Sequence, residues 1–99
     1  MARFDFYENP AAAGYLLDVQ STLIGGLNTR IVVPLTPEQD APLPARRLNP
    51  VFEIANARYV MVTQFMAAVT VSELGTRIGS LEHAHHEITS ALDMIFLGF

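Results

Sequence analysis

Polar and apolar residues alternate along most of this chain, and the pattern changes to a helical period only at its end. Arg3 to Tyr7 (RFDFY) reads as a half-buried strand, with Phe4 and Phe6 on one face and Arg3, Asp5 and Tyr7 on the other. Asn9-Pro10 and Gly14 signal a turn, and Tyr15 to Gln20 (YLLDVQ) returns as a second strand, so the two form a hairpin. Thr29 to Leu35 (TRIVVPL) is rich in β-branched residues and predicts a strand that runs into Pro34. Thr36 to Pro50, interrupted by Pro37, Pro42, Pro44 and Pro50, predicts one long loop. Val51 to Ala55 and Arg58 to Thr63 read as strands around an Ala55-Asn56-Ala57 turn. Phe65 to Ala68 is ambiguous, Val69 to Val71 is a brief strand, and Gly75 and Gly79 frame a connection. From Leu81 onward, Leu81, Ala84, Ile88, Ala91, Leu92, Ile95 and Phe96 form a stripe at helical spacing, with His83, His86, Ser90 and Asp93 opposite. The expected fold is mainly β with one C-terminal α-helix: a small, mostly antiparallel barrel or curled sheet on which that helix packs.

Two stretches do not follow this pattern. Leu97 lies about 180° from Ile88 on a helical wheel, in the middle of the polar face. Gly98 and Phe99 follow it, and core packing within the helix does not account for the three. Leu23-Ile24 precedes Gly25-Gly26, which interrupts any regular element. The pair reads either as two core residues before a turn or as an exposed contact patch.

Composition narrows the functional classes. A 99-residue chain that is 51% hydrophobic and 16% charged makes one globular domain. That hydrophobic fraction in a short chain leaves apolar surface for self-association, and a two-fold homodimer is expected. The net charge is −4 and every positive side chain is Arg, with no basic cluster beyond Arg46-Arg47. Stand-alone nucleic-acid binding is therefore disfavoured, and any action on DNA is expected to run through a partner. With no cysteine, disulfides and thiolate chemistry are excluded, which is compatible with a reducing cytoplasm. No apolar run is long enough to span a membrane, and MARFDFYENP lacks the features of a secretory signal.

Catalytic motifs are weak. His83, His85 and His86, with Glu82 and Glu87, are the nearest approach to a metal site, but no second ligand group accompanies them and no metal or cofactor is expected. Gly25-Gly26 lacks the spacing and the Lys of a phosphate loop. A ribonuclease would need clustered charge on one face, which Arg30, Arg46, Arg47 and Arg58 supply only if folding gathers them.

In order along the chain, RFDFY, YLLDVQS with the Leu23-Ile24 pair, LNTRIVVPL, LNPVFEI, MVTQFMAAVTV and the terminal IFLGF resemble the CcdB toxins over essentially the whole length. That resemblance implies an SH3-like barrel of mostly antiparallel strands with a small extra sheet and a C-terminal helix, assembled as a symmetric homodimer. It implies a non-catalytic toxin of a type II toxin–antitoxin system that binds the A subunit of DNA gyrase and traps the enzyme on broken DNA. A cognate antitoxin with a disordered C-terminal segment would neutralise it, and the complex would repress its own operon, touching operator DNA through the antitoxin. Plasmid maintenance is the associated role. The implied gyrase contacts are Leu23, Ile24, Leu97, Gly98 and Phe99, with His85 and Asp93 at helix positions that make polar contacts in the family. Leu97 and Phe99 stand where the best-known members have Trp and Ile. Antitoxin contacts are expected around Tyr7, Glu8 and Asn9, and around Arg46 and Arg47 in the long loop. The alternatives are an endoribonuclease toxin on the same barrel and a diverged, non-toxic relative that acts through antitoxin binding.

Overall fold

The computed structural model describes residues 2–24 and 26–99; Met1 and Gly25, half of the double glycine, lie outside them. Seven strands form one sheet: β1 (Asp5–Glu8), β2 (Tyr15–Asp18), β3 (Thr29–Pro37), β4 (Val51–Ile54), β5 (Ala57–Met61), β6 (Ala67–Thr70) and β7 (Arg77–Ser80). The order is β4-β5-β3-β2-β1-β7, every pairing is antiparallel, and β6 also pairs with β3. The sheet curls into a half-barrel, and α1 (His85–Leu97) packs on it at the end of the chain. Mainly antiparallel β-structure with one terminal helix is the expected class.

β3 organises the sheet. Its middle, Val32–Leu35, pairs with β2, while its other edge meets β6 at Thr29–Val32 and β5 at Leu35–Pro37. Pro34 falls in the gap between those two neighbours. A residue's N–H and C=O point to the same side of a strand, and Pro34 O accepts Val62 N–H at 3.0 Å, away from β2. The missing proline donor therefore interrupts no ladder. The strand continues through Pro37, two residues past the expected end, because Thr36 and Pro37 still pair with Val60 and Tyr59.

The core consists of Phe4, Phe6, Leu17, Val33, Leu35, Phe52 and Met61 from the sheet side, closed by Leu81, Ala84, Ile88 and Ala91. β1 is not half-buried as its alternation suggested: Phe4, Asp5, Phe6 and Tyr7 are all buried. β7 runs beside β1 as its outer neighbour in the sheet, and its Arg77 pairs with Asp5. That strand replaces the connection expected between Gly75 and Gly79. Gly79 pairs with Phe6, and a Cβ there would sit 3.1 Å from the Phe6 ring, so the glycine belongs to a strand that must pass close to an aromatic face. β4 and β5 join through Ala55 (φ 52°) and Asn56 (φ 66°), two left-handed residues as a tight hairpin turn requires.

The segment 41–50 is anchored at its far end. Asn49 is buried, and its Nδ2 donates to Met61 O (3.1 Å) and Gln64 Oε1 (2.8 Å), while its Oδ1 accepts Ala45 N–H (3.0 Å). Arg47, at φ 63°, donates from Nε to Ser90 Oγ (2.9 Å) and from Nη2 to Ser90 O (3.2 Å). Ser90, expected on a solvated helix face, is thus where the loop rests.

Candidate functional site

The helical stripe begins as expected and then runs past the body of the protein. Leu81, Ala84, Ile88 and Ala91 are buried and Leu92 half-buried, but Ile95 and Phe96 on the same stripe are exposed, Phe96 by 69%. The expectation that the stripe holds the helix to the sheet through Phe96 is therefore corrected: the sheet ends about one turn earlier. What extends beyond it is Met94 to Phe99, apolar on every side except at Gly98. Leu97 is 59% exposed and Phe99 76%. Gly98 ends the helix in the left-handed conformation (φ 79°), its N–H donating to Met94 O at 3.1 Å. A side chain is strained at that φ, so glycine here terminates the helix and turns Phe99 away from its axis.

Leu23 and Ile24 settle their own ambiguity. They form a 3₁₀ turn, Thr22–Ile24, with no buried residue, and Leu23 is 93% exposed. They are a surface pair, not core. A groove of about 340 Å³ joins this turn to the helix, lined by Ile24, Leu92 and Phe96 together with Val19, Ile31 and Met66. Arg3 also lines it, its Nε donating to Val19 O at 3.0 Å. Phe96, Met66 and Ile31 had no place among the sequence candidates. The signal for Phe96 was present, since an apolar stripe longer than the sheet it packs on must emerge somewhere, but the sheet's extent was not readable.

The other candidates disperse. Asp93 is exposed and one turn before Leu97, so the two share a face. His85 opens the helix, roughly 18 Å from Leu97 along the axis. Its Nδ1 lies 3.0 Å from Glu82 O and its ring is 4.0 Å from that of His86. Among the described residues no three metal-ligating side chains are grouped. Tyr7 is buried within the sheet, and burial raises its phenol. Glu8 is exposed and its carbonyl accepts Gly75 N–H (3.1 Å). Asn9 lines a separate groove of about 490 Å³ with Pro10, Leu16 and Val69. Arg46 is exposed, and Arg47 is held on Ser90.

Beneath the Leu23-Ile24 turn lies a buried polar network. Asp18 and Arg30 are 0% and 1% exposed, and Arg30 Nη2 and Nε approach Asp18 Oδ2 at 2.7 and 3.0 Å. Burial pushes the Asp18 carboxyl up, against the pull of Arg30 and of Gln20 N–H. The arginines are otherwise separated and engaged: Arg58 with Glu38 (3.0 Å), Arg77 with Asp5 (3.0 Å), Arg47 with Ser90. Folding does not gather Arg30, Arg46, Arg47 and Arg58 into one face.

A family model described as the CcdB protein matches residues 3–98. The chain belongs to the CcdB family. It is therefore a CcdB-type toxin of a toxin–antitoxin system. Its fold is also similar to that of a solved structure described as an endoribonuclease in complex with its cognate antitoxin from Mycobacterial species. That match has a TM-score of 0.74 at 16% identity and covers 95% of this chain and 92% of the other. At that identity the likeness is one of fold alone. No helix among the described residues is long and apolar enough to cross a membrane.

Proposed function

We propose that this CcdB-family chain inhibits DNA gyrase by binding its A subunit and holding the enzyme on cleaved DNA, without catalysis of its own. The observation that carries this reading is the pair of exposed apolar elements, Leu23-Ile24 and Leu97-Gly98-Phe99, on a small acidic domain. Large apolar side chains left in water at two neighbouring elements cost solvation free energy that only a partner recovers. Phe96 and Phe99 bring aromatic area to a site whose Leu97 is aliphatic, and buried aromatic anchors dominate protein interfaces. Asp93, beside Leu97, is suited to a polar contact at the rim. Gyrase is a protein target, so an acidic toxin reaches a DNA reaction without meeting phosphate.

A two-fold homodimer, proposed from the high hydrophobic fraction of a short chain, would place two such surfaces side by side. A cognate antitoxin with a disordered C-terminal segment is the proposed neutralising partner. Its contacts are assigned to the Glu8–Asn9 end of the first hairpin and to Arg46 and Arg47, and operator DNA is met through it. The cytoplasm, where gyrase works, is the proposed location.

The endoribonuclease reading draws on the shared fold, but of the four arginines that would grip RNA, Arg30, Arg47 and Arg58 hold intramolecular partners. A supercoiling assay with gyrase from the host, with and without the last three residues, tests the proposal. Inhibition and DNA cleavage by the full chain, lost on deleting Leu97 to Phe99 from a protein that still folds, is the expected result. Cleavage of added RNA with unchanged supercoiling would replace it with the ribonuclease reading. Inactivity in both assays with retained antitoxin binding would identify a non-toxic relative.

A further inference from the structure

We propose that Gln20 is a positioning residue for the partner-binding turn: its side-chain amide ties Thr22–Ile24 to β3 and so sets the direction in which Leu23 and Ile24 face a partner. The inference rests on reading those two residues as partner contacts. Gln20 is 5% exposed, and its side chain makes one bond to each element. Oε1 accepts Ile31 N–H at 3.0 Å, and Nε2 donates to Ile24 O at 3.1 Å. The partners dictate the orientation of the amide, since an N–H needs an acceptor and a carbonyl needs a donor. No side chain of similar length other than an amide serves both at once. The backbone of Gln20 is held in turn, its N–H donating to Asp18 Oδ1 at 3.0 Å while the other carboxylate oxygen holds Arg30.

The turn has little else to hold it. None of its residues is buried, and its backbone bonds are long: Ile24 N–H to Ser21 O at 3.3 Å and Leu27 N–H to Ile24 O at 3.4 Å. Such a segment samples many orientations unless something ordered grips it, and binding would then have to order it at an entropic cost. Gln20 removes that cost in advance by fastening the turn's last carbonyl to a nine-residue strand.

Hydrogen exchange of the full chain, together with its affinity for the gyrase A subunit, tests the role. Gln20→Met keeps the apolar length and loses both bonds. Gln20→Glu, once ionised, keeps an acceptor for Ile31 N–H and loses the donor to Ile24 O. In both variants exchange at Leu23, Ile24 and Leu27 is expected to rise while Val32 and Val33 stay protected. The affinity is expected to fall about tenfold, the equivalent of about 1.4 kcal/mol. Unchanged exchange at the turn in a folded variant would overturn the role, as would a freed turn with undiminished affinity. If the wild-type chain does not bind gyrase, the partner reading fails by itself, and the exchange measurement still decides whether Gln20 holds the turn.

Discussion

The buried Asp18–Arg30 pair is where a single atom change has the largest consequence. Asp18→Asn preserves shape and leaves the Arg30 guanidinium, 1% exposed, without a counter-charge. Removing one partner of a fully buried pair costs about 3–5 kcal/mol, because the remaining charge stays desolvated. A domain of this size has a total stability of about 5–15 kcal/mol, so about a fifth or more of it is at risk. With an unfolding entropy near 2.1 cal/mol/K per residue, the same loss lowers Tm by roughly 14–24 °C. Removing both charges should be far milder, since replacing a buried pair with apolar residues is often neutral or better. Thermal and urea denaturation of Asp18→Asn is read beside the cycle of Asp18→Leu, Arg30→Met and the double variant Asp18→Leu/Arg30→Met, which separates these effects. The double variant is expected to be more stable than either single one. A loss below about 1 kcal/mol for Asp18→Asn, or a double variant equal to the sum of the singles, would refute the desolvation argument.

Three further outcomes follow from the same structure. Burial raises the Asp5 carboxyl, but its bonds from Arg77 and the Ala2 N–H outweigh this and place it below its ordinary value of 3.8. Asp5 therefore stabilises the fold above the ordinary carboxylate range and loses that contribution as pH falls through its lowered value. In acid-unfolding curves, Asp5→Asn should flatten the loss below about pH 4, and a curve identical to wild type would contradict this. Ile88→Ala removes a side chain with no exposure from the helix–sheet contact and should cost about 2–5 kcal/mol by urea denaturation. Arg47→Ala should leave Tm nearly unchanged while speeding subtilisin cleavage within 41–48, because Arg47 holds an exposed loop to Ser90. An unaltered cleavage rate would show that Asn49 alone secures the loop.

Much of this fold was legible in local pattern. β2, β4, β5 and most of β3 are runs of β-branched and aromatic residues between turn signals, and the helix announces itself from Leu81 by its period. β7 was not legible, because Gly75 and Gly79 near it serve close approaches to Glu8 and Phe6, about 70 residues earlier. The burial of Asp5 and Tyr7 was hidden as well: alternation tells which side chains share a face, and only the packed whole decides whether the second face is covered. At the candidate site, Leu97 stood out on a helical wheel, since an apolar residue opposite the core stripe is anomalous by geometry alone. Leu23-Ile24 remained open between core and surface, and Phe96 passed as an ordinary stripe residue.

The family was legible as a resemblance of ordered segments; by itself the local pattern determined the class of fold and that Leu97 lies off the core stripe of the helix. These are properties of local period and residue type, which need no partner in space to be read. Tertiary structure decided where the helix leaves the sheet, which apolar pair stays in water, and that Asp18, Gln20 and Arg30 lie together beneath it. Those depend on contacts between segments distant in the chain, and burial, unlike periodicity, is a property of the packed whole.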